Sequence, residues 1–132
     1  LYMESCRSDM DCYERLCQMG VGHDAAGYAT PQGLRNVLII SATPYQWKHM
    51  IGQRTCRRNT DEMRIVMLKI WKKLYELSPM LFVPELTGPF CQRGKCAEGK
   101  MTCGKPLEKR MNPVDILQTD YPMLLEGGLH EG

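Results

Sequence analysis

The sequence predicts an α+β fold in which helices pack on a small sheet and which is incomplete as a stand-alone fold. Several segments repeat apolar residues at the three- to four-residue spacing of an amphipathic helix. One short segment, residues 34–41, is rich in valine, leucine and isoleucine and predicts a strand. Because a single strand cannot satisfy its own backbone hydrogen bonds, its partner is expected upstream of Leu1 or on another chain.

The first predicted helix covers about residues 4–19. Its apolar stripe contains Met10, Tyr13, Leu16 and Cys17, and glycines follow the last of these. A short helical or turn segment is then expected between Asp24 and Pro31, before the predicted strand.

A second helix is predicted from Pro44 to about Arg54. Thr43 is a suitable N-cap, and proline is favoured at the first helical position because its missing N–H would have no partner there. Its buried side is expected to carry Trp47, Met50 and Ile51.

A third helix is predicted over about residues 60–77, with Asn59 and Glu62 as a capping box. Arg64 is expected to be a surface charge on it, and beyond Pro84 the many Gly, Pro and Lys residues predict irregular structure. The helix is expected to bury one broad apolar face, made of Met63, Val66, Met67, Ile70, Trp71, Leu74 and Leu77.

The composition is that of a globular domain. Of the 132 residues, 43% are hydrophobic and 24% charged, so the chain as a whole is not a disordered tail. No apolar run exceeds four residues, far below the ~20 that cross a bilayer, and no secretory signal is visible. We therefore expect a cytoplasmic protein with no membrane partner. Residues 1–110 are expected to form one portion of a single domain, and residues 111–132 an irregular acidic tail.

Charge is segregated along the chain although the formal net charge is only +2. Residues 48–73 carry eight bases against two acids, and residues 91–110 carry six against two, whereas both ends of the chain are acidic. Basic blocks of this kind concentrate anionic partners, the alternative being a solvated lysine face. The three arginines Arg54, Arg57 and Arg58 favour the anionic partner, because they lie within five residues.

The seven cysteines leave at least one thiol outside any complete set of disulfides. Without an export signal, free thiols in a reducing compartment are expected. The spacing of Cys91, Cys96 and Cys103 allows a zinc loop with Cys56 or a histidine as fourth ligand, but it lacks the tight cysteine pair of most zinc sites. No metal is therefore assigned.

The order of several motifs resembles the C-terminal half of the flavin-dependent thymidylate synthases. Residues 24–33 stand where the family has Asp-Ala-Arg before a strand, and Trp47, His49 and Arg54 follow at the family's spacing. Glu62 and Arg64 then match a Glu-x-Arg motif that opens a long helix. Residues 88–104 look like a C-terminal tail found in some members, so the resemblance covers roughly residues 10–104.

The resemblance implies that dUMP is methylated to dTMP. Methylenetetrahydrofolate would supply the one-carbon unit, and FAD would carry the hydride that NADPH supplies. It also implies a homotetramer with active sites between subunits. The family's Arg-His-Arg motif is absent and would lie before Leu1, so we expect a fragment or divergent member that is not active alone.

The resemblance also implies roles for individual residues. Arg54 matches a catalytic arginine that contacts the uracil of dUMP and favours ionisation of its N3. The alternative is an arginine that satisfies the last carbonyls of its helix. Contacts with FAD are implied for His49, for Thr43 and Tyr45 in place of the family's Asn and Arg, and for Arg58 in place of a histidine.

A non-enzymatic module is the alternative function. In it the basic segment from Arg54 to Lys73 would contact nucleic acid or another anion, and zinc would clamp the cysteine loop. The sequence contains no recognised nucleic-acid motif, and Trp47 and Trp71 are better explained as core residues. The enzymatic interpretation is therefore preferred.

Overall fold

The computed structural model describes residues 1–94, 96, 98–105 and 111–126, and the chain forms two compact units, residues 1–40 and 41–132. The described residues are mainly helical and contain no β-strand. None of the helices among them is long and apolar enough to cross a membrane.

The first unit consists of α1 (Tyr2–Gln18), α2 (His23–Ala26) and a 3₁₀ turn (Gly27–Ala29). The predicted first helix is confirmed. It ends at Gln18, and two residues later Gly20 has a φ of 87°, which favours glycine. Helix α1 packs on α2 and the turn, where the Tyr13 hydroxyl lies 3.1 Å from Nδ1 of His23.

The predicted strand at residues 34–41, and with it the small sheet, is wrong for the described part of the chain. These residues have no regular secondary structure. The physical reason is that no partner strand lies within the described ranges, so no backbone ladder can form. Their apolar side chains are exposed, among them Val37, Leu38 and Ile39.

The second unit contains α3 (Pro44–Arg54), α4 (Asp61–Leu77), α5 (Phe90–Arg93), a 3₁₀ turn (Gly99–Met101), α6 (Pro113–Asp120) and α7 (Met123–Glu126). Helix α3 and its cap are confirmed. The Thr43 hydroxyl accepts from the Gln46 N–H at 3.3 Å, and the Gln46 side chain accepts from the Thr43 N–H at 3.0 Å.

Helix α4 is also confirmed, but its predicted capping box is wrong. Thr60 is the N-cap and makes no side-chain cap bond. The Asn59 amide instead donates to the carbonyls of Gln53 (2.7 Å) and Cys56 (3.3 Å). Asn59 therefore shapes the preceding loop rather than the start of the helix.

The buried face of α4 is only partly the predicted one. Met67 and Trp71 are buried as expected, whereas Met63, Val66 and Leu77 are exposed. The core includes Leu68 instead, because α4 packs against both α3 and α6 and so buries a face on each side. The core of this unit consists of Ile51, Met67, Leu68, Trp71, Phe82, Ile116, Leu117 and Tyr121.

The expectation of irregular structure after Pro84 is wrong for residues 113–120. Asn112 and Asp115 form a capping box, and Pro113 occupies the first position of α6. The helix forms because Ile116 and Leu117 are buried in the core. Residues 127–132 of the predicted tail lie outside the described residues, and the domain boundary after residue 110 stays a prediction.

Candidate functional site

A cavity of about 540 Å³ lies between the α3–α4 loop and the segment that follows Gly88. Its lining includes four basic residues and one carboxylate, Glu98; the basic ones are Arg54, Arg57, Arg58 and Lys105. The excess of positive charge makes it suitable for an anion. Phe90 adds an aromatic surface to the wall.

The α3–α4 loop is held in shape by its own polar groups. The buried Thr55 hydroxyl donates to the Ile51 carbonyl at 2.6 Å and so closes the end of α3. The two hydrogen bonds that the Asn59 side-chain amide donates hold the loop against the same end of α3. The end of α3 and the loop therefore present Arg54, Arg57 and Arg58 from a fixed turn.

The opposite wall is close to α3 because residue 52 is glycine. A Cβ there would lie 2.8 Å from the Phe90 ring and 2.9 Å from an Arg93 nitrogen. Arg93 donates to the Lys48 carbonyl at 3.2 Å and lies over the Phe90 ring, 5.0 Å from its centroid. These contacts position Phe90 at the cavity.

Arg57 is fixed by a carboxylate that is distant in sequence. Its Nη2 donates to Oδ1 of Asp120 at 2.8 Å and its Nε to Oδ2 at 3.3 Å. Its Nη1 donates to the Lys105 carbonyl. The bond to Asp120 raises the pKa of Arg57 although burial opposes this, so the guanidinium stays charged.

Asp120 also binds the buried Arg64, whose Nη2 donates to Oδ2 at 2.7 Å. Arg64 further donates to the Thr55 carbonyl at 3.1 Å and to the Tyr121 hydroxyl at 2.9 Å. The expectation that Arg64 is a surface charge is therefore wrong. Its place on the core-facing side of α4 makes it a link between α3, α4 and α6.

Opposing effects act on the Asp120 carboxyl. Burial acts to raise its pKa, but the hydrogen bonds from Arg57 and Arg64 outweigh burial and leave the pKa below its ordinary value. Asp120 is consequently ionised at neutral pH and carries the negative charge that the two arginines share.

Two of the predicted site residues lie on the cavity, namely Arg54 and Arg58. Arg54 is exposed, and the one side-chain hydrogen bond that it makes within the described part of the chain is a long one of 3.4 Å to Asn59. It is thus available to a ligand, and the alternative of an arginine on the last helix carbonyls is not what these contacts show.

The other three predicted flavin contacts are not among the residues that line the cavity. The Thr43 hydroxyl is engaged in the helix cap, and Tyr45 is 82% exposed. His49 is exposed one turn after Tyr45, and its ring lies 6.3 Å from that of Phe90. Tyr45 and His49 therefore share an exposed face of α3.

Four of the seven cysteines line the cavity, and all seven are free thiols: those at the cavity are Cys56, Cys91, Cys96 and Cys103. The four cysteines that the sequence suggested as possible zinc ligands therefore also lie around one cavity. However, no three metal-ligating side chains within the described ranges are arranged to hold an ion. The zinc clamp of the alternative function gains no support from this geometry.

Sequence reasoning missed Asp120 and Lys105, and it gave Arg57 no role of its own. No local signal marks Asp120, because its partners lie 56 and 63 residues away. The one available clue was the capping box at Asn112, which predicts a helix and so would have placed Asp120 at its end.

Comparison with known proteins assigns the family. The family model of the thymidylate synthase complementing protein matches residues 1–80. A flavin-dependent thymidylate synthase of Thermococcus onnurineus is 31% identical over 117 residues, which are 83% of this chain and 47% of that protein. One of Geobacter sulfurreducens is 30% identical over 106 residues, or 80% of this chain and 44% of that protein.

The chain thus spans about half the length of these curated relatives. No solved structure matches it significantly. The alternative of a nucleic-acid-binding module gains no support from these matches.

Proposed function

Because this chain belongs to the thymidylate synthase complementing protein family, we propose that it acts in a flavin-dependent thymidylate synthase that converts dUMP to dTMP. The observation that carries the proposal is the position of Arg54. It stands at the family's spacing after Trp47 and His49, and its side chain lies on a cationic cavity.

Arg54 is proposed to contact the uracil base. A permanently charged guanidinium beside the N3–H of the imide favours the N3 anion, by roughly 1–3 pKa units for a close opposite charge. The negative charge then spreads through the ring and makes C5, the carbon that receives the methyl group, more nucleophilic. Arg54 is therefore proposed as both the substrate-binding and the catalytic residue.

The residues proposed to hold FAD only partly converge on the cavity. Arg58 lines it, and its charge suits a cofactor phosphate. Tyr45 and His49 lie on an exposed face of α3, so a second subunit would be needed to enclose a flavin there. This supports a proposed homotetramer with active sites between subunits, in which FAD supplies hydride from NADPH and methylenetetrahydrofolate supplies the carbon.

We also propose that the protein works in the cytoplasm. The proposal depends on the family resemblance and on the free thiols at the cavity, which suit a reducing compartment.

The proposed function is tested by flavin spectroscopy on the full chain. The purified protein, supplied with FAD, is expected to be yellow, and dUMP is expected to perturb the flavin absorption. dCMP is the matched control, because it carries the same phosphate and sugar while its cytosine N3 has no proton to lose. A colourless protein with no affinity for dUMP would contradict the proposal.

A further inference from the structure

We propose that Arg57 binds the phosphate group of the ligand in the cavity and that Asp120, at the end of α6, is the residue that positions Arg57. The nucleotide identity of the ligand rests on the proposed function. The phosphate contact itself depends only on the geometry of the cavity wall.

The cluster of Arg57, Arg64 and Asp120 carries a surplus positive charge. Two guanidinium groups share one carboxylate, with Nη2 of Arg57 on one oxygen and Nη2 of Arg64 on the other. Guanidinium groups are permanently charged in proteins. Asp120 therefore compensates only one of the two positive charges; the other carboxylate of the network, Asp61, is exposed and is linked to Arg64 only through the Tyr121 hydroxyl.

This surplus charge is directed to the cavity through Arg57. Arg64 is only 4% exposed and is not among the residues that line the cavity, and its nitrogens bond to Thr55, Tyr121 and Asp120. Arg57 lines the cavity and is partly exposed. An anion that enters the cavity meets Arg57 and not Arg64.

Arg57 also retains donors for a ligand. A guanidinium has five N–H groups, and the described contacts to Asp120 and to the Lys105 carbonyl use three of them. The remaining two are one N–H on each terminal nitrogen, and charged N–H donors of this kind bind phosphate oxygens.

Asp120 holds these donors in place before a ligand arrives. Helix α6 is anchored by the buried Ile116 and Leu117, so the carboxylate has a fixed position. A side chain held from a rigid element loses less conformational entropy on binding than a free one. Asp120 is therefore a positioning residue that lies outside the lining of the cavity.

The test compares the affinity of the full chain for dUMP with that for deoxyuridine, which lacks the phosphate, by calorimetry at one fixed low ionic strength. Arg57→Gln is expected to weaken dUMP binding about 10- to 100-fold, as for loss of a charged hydrogen bond, and to leave deoxyuridine binding unchanged. Asp120→Asn is expected to lower the ratio of the affinity for dUMP to that for deoxyuridine as well, but by less, because loss of the fixed position of Arg57 outweighs the gain of one positive charge.

Two control variants separate this role from a structural one. Tyr121→Phe removes the hydroxyl that accepts from Arg64 and donates to Asp61 within the same network, but leaves the Arg57–Asp120 pair intact. Lys69→Gln removes an exposed positive charge that does not line the cavity. Both variants are expected to keep the wild-type ratio of the affinity for dUMP to that for deoxyuridine. Circular dichroism confirms that each variant is folded.

The inference is overturned if Arg57→Gln keeps that ratio in a folded protein. Inorganic pyrophosphate, as a second probe, distinguishes its failure from that of the proposed function. A wild type that binds pyrophosphate in an Arg57-dependent way but not dUMP would remove the proposed function and support the phosphate site. A wild type that binds neither anion would contradict both.

Discussion

Asp120 shows how one side chain joins two helices and a loop of the second unit. It is bound by Arg57 from the α3–α4 loop and by Arg64 from α4. Breaking a buried ion pair costs far more than an exposed pair contributes, because the remaining charge loses its partner in a place where water cannot replace it.

Asp120→Ala is therefore expected to lower the free energy of unfolding by about 3–5 kcal/mol, the range for removing one partner of a buried pair. Urea denaturation followed by circular dichroism measures this. Glu76→Gln is the matched control, because it breaks the exposed Lys72–Glu76 pair of 3.9 Å and is expected to cost under about 0.5 kcal/mol. Equal losses in the two variants would contradict the buried role.

The same carboxylate predicts a dependence of stability on pH. Since the pKa of Asp120 is depressed in the folded state, its contribution is complete above the unfolded value of about 3.9. The contribution is lost as the pH falls from there through the lower folded value. Acid titration of the unfolding midpoint below about pH 4 is expected to show a smaller slope in Asp120→Asn than in the wild type.

At the level of elements, the burial of α4 differs from its apparent stripe. Periodicity alone selects Val66 because it continues the 3–4 pattern, yet this residue is 53% exposed. Leu68 lies outside the stripe and is fully buried. A single stripe describes a helix with one packed face, whereas α4 contacts both α3 and α6.

Truncation of these two residues tests the corrected face. Leu68→Ala is expected to destabilise the protein by about 2–5 kcal/mol, through lost transfer energy and the cavity left behind. Val66→Ala is expected to change stability by at most about 0.5 kcal/mol, as for an exposed position. A larger loss of stability in Val66→Ala than in Leu68→Ala would contradict the corrected face and would support the predicted apolar stripe as the buried one.

Local rules predicted α1, α3 and α4 because their signals lie within a few residues of one another. Thr43 and Gln46 cap α3 across three positions, and the amphipathic spacing extends along each helix. The rules missed α6 because its capping signal stands in a region of high Gly, Pro and Lys content. Its stability depends on burial of Ile116 against residues far away in sequence.

At the level of the molecule, residues 37–40 form an exposed apolar run. An isolated copy of the chain gives no reason for this exposure. Ile39 is 99% exposed, and consecutive exposed aliphatic side chains mark contact surfaces. The proposed homotetramer offers a second subunit that would cover these side chains.

Ile39→Asp is therefore expected to reduce the assembly to smaller species without changing the helix content, because a charge in an apolar contact loses its hydration. Light scattering coupled to size-exclusion chromatography measures the mass. Met80→Asp, at another exposed apolar position, should leave the mass unchanged. A wild type that is monomeric at all concentrations would argue against this contact.

The candidate site could be predicted only in part, because one of its contacts joins residues that are far apart in sequence. Arg54 and Arg58 stand close together in a motif, so the sequence could single them out as candidates, and both line the cavity. Arg57 was visible as a charge, but its role required Asp120, and the pairing of two residues 63 positions apart is a property of the tertiary fold.

Calorimetric titration of the full chain with dUMP and with deoxyuridine tests the assignment of Arg54 to the base most directly. Arg54→Ala is expected to weaken both ligands about 10- to 100-fold, because a contact to uracil is common to them. Lys69→Ala, which removes an exposed charge away from the cavity, should bind both as the wild type does. Wild-type affinity for both ligands in a folded Arg54→Ala protein would contradict the account.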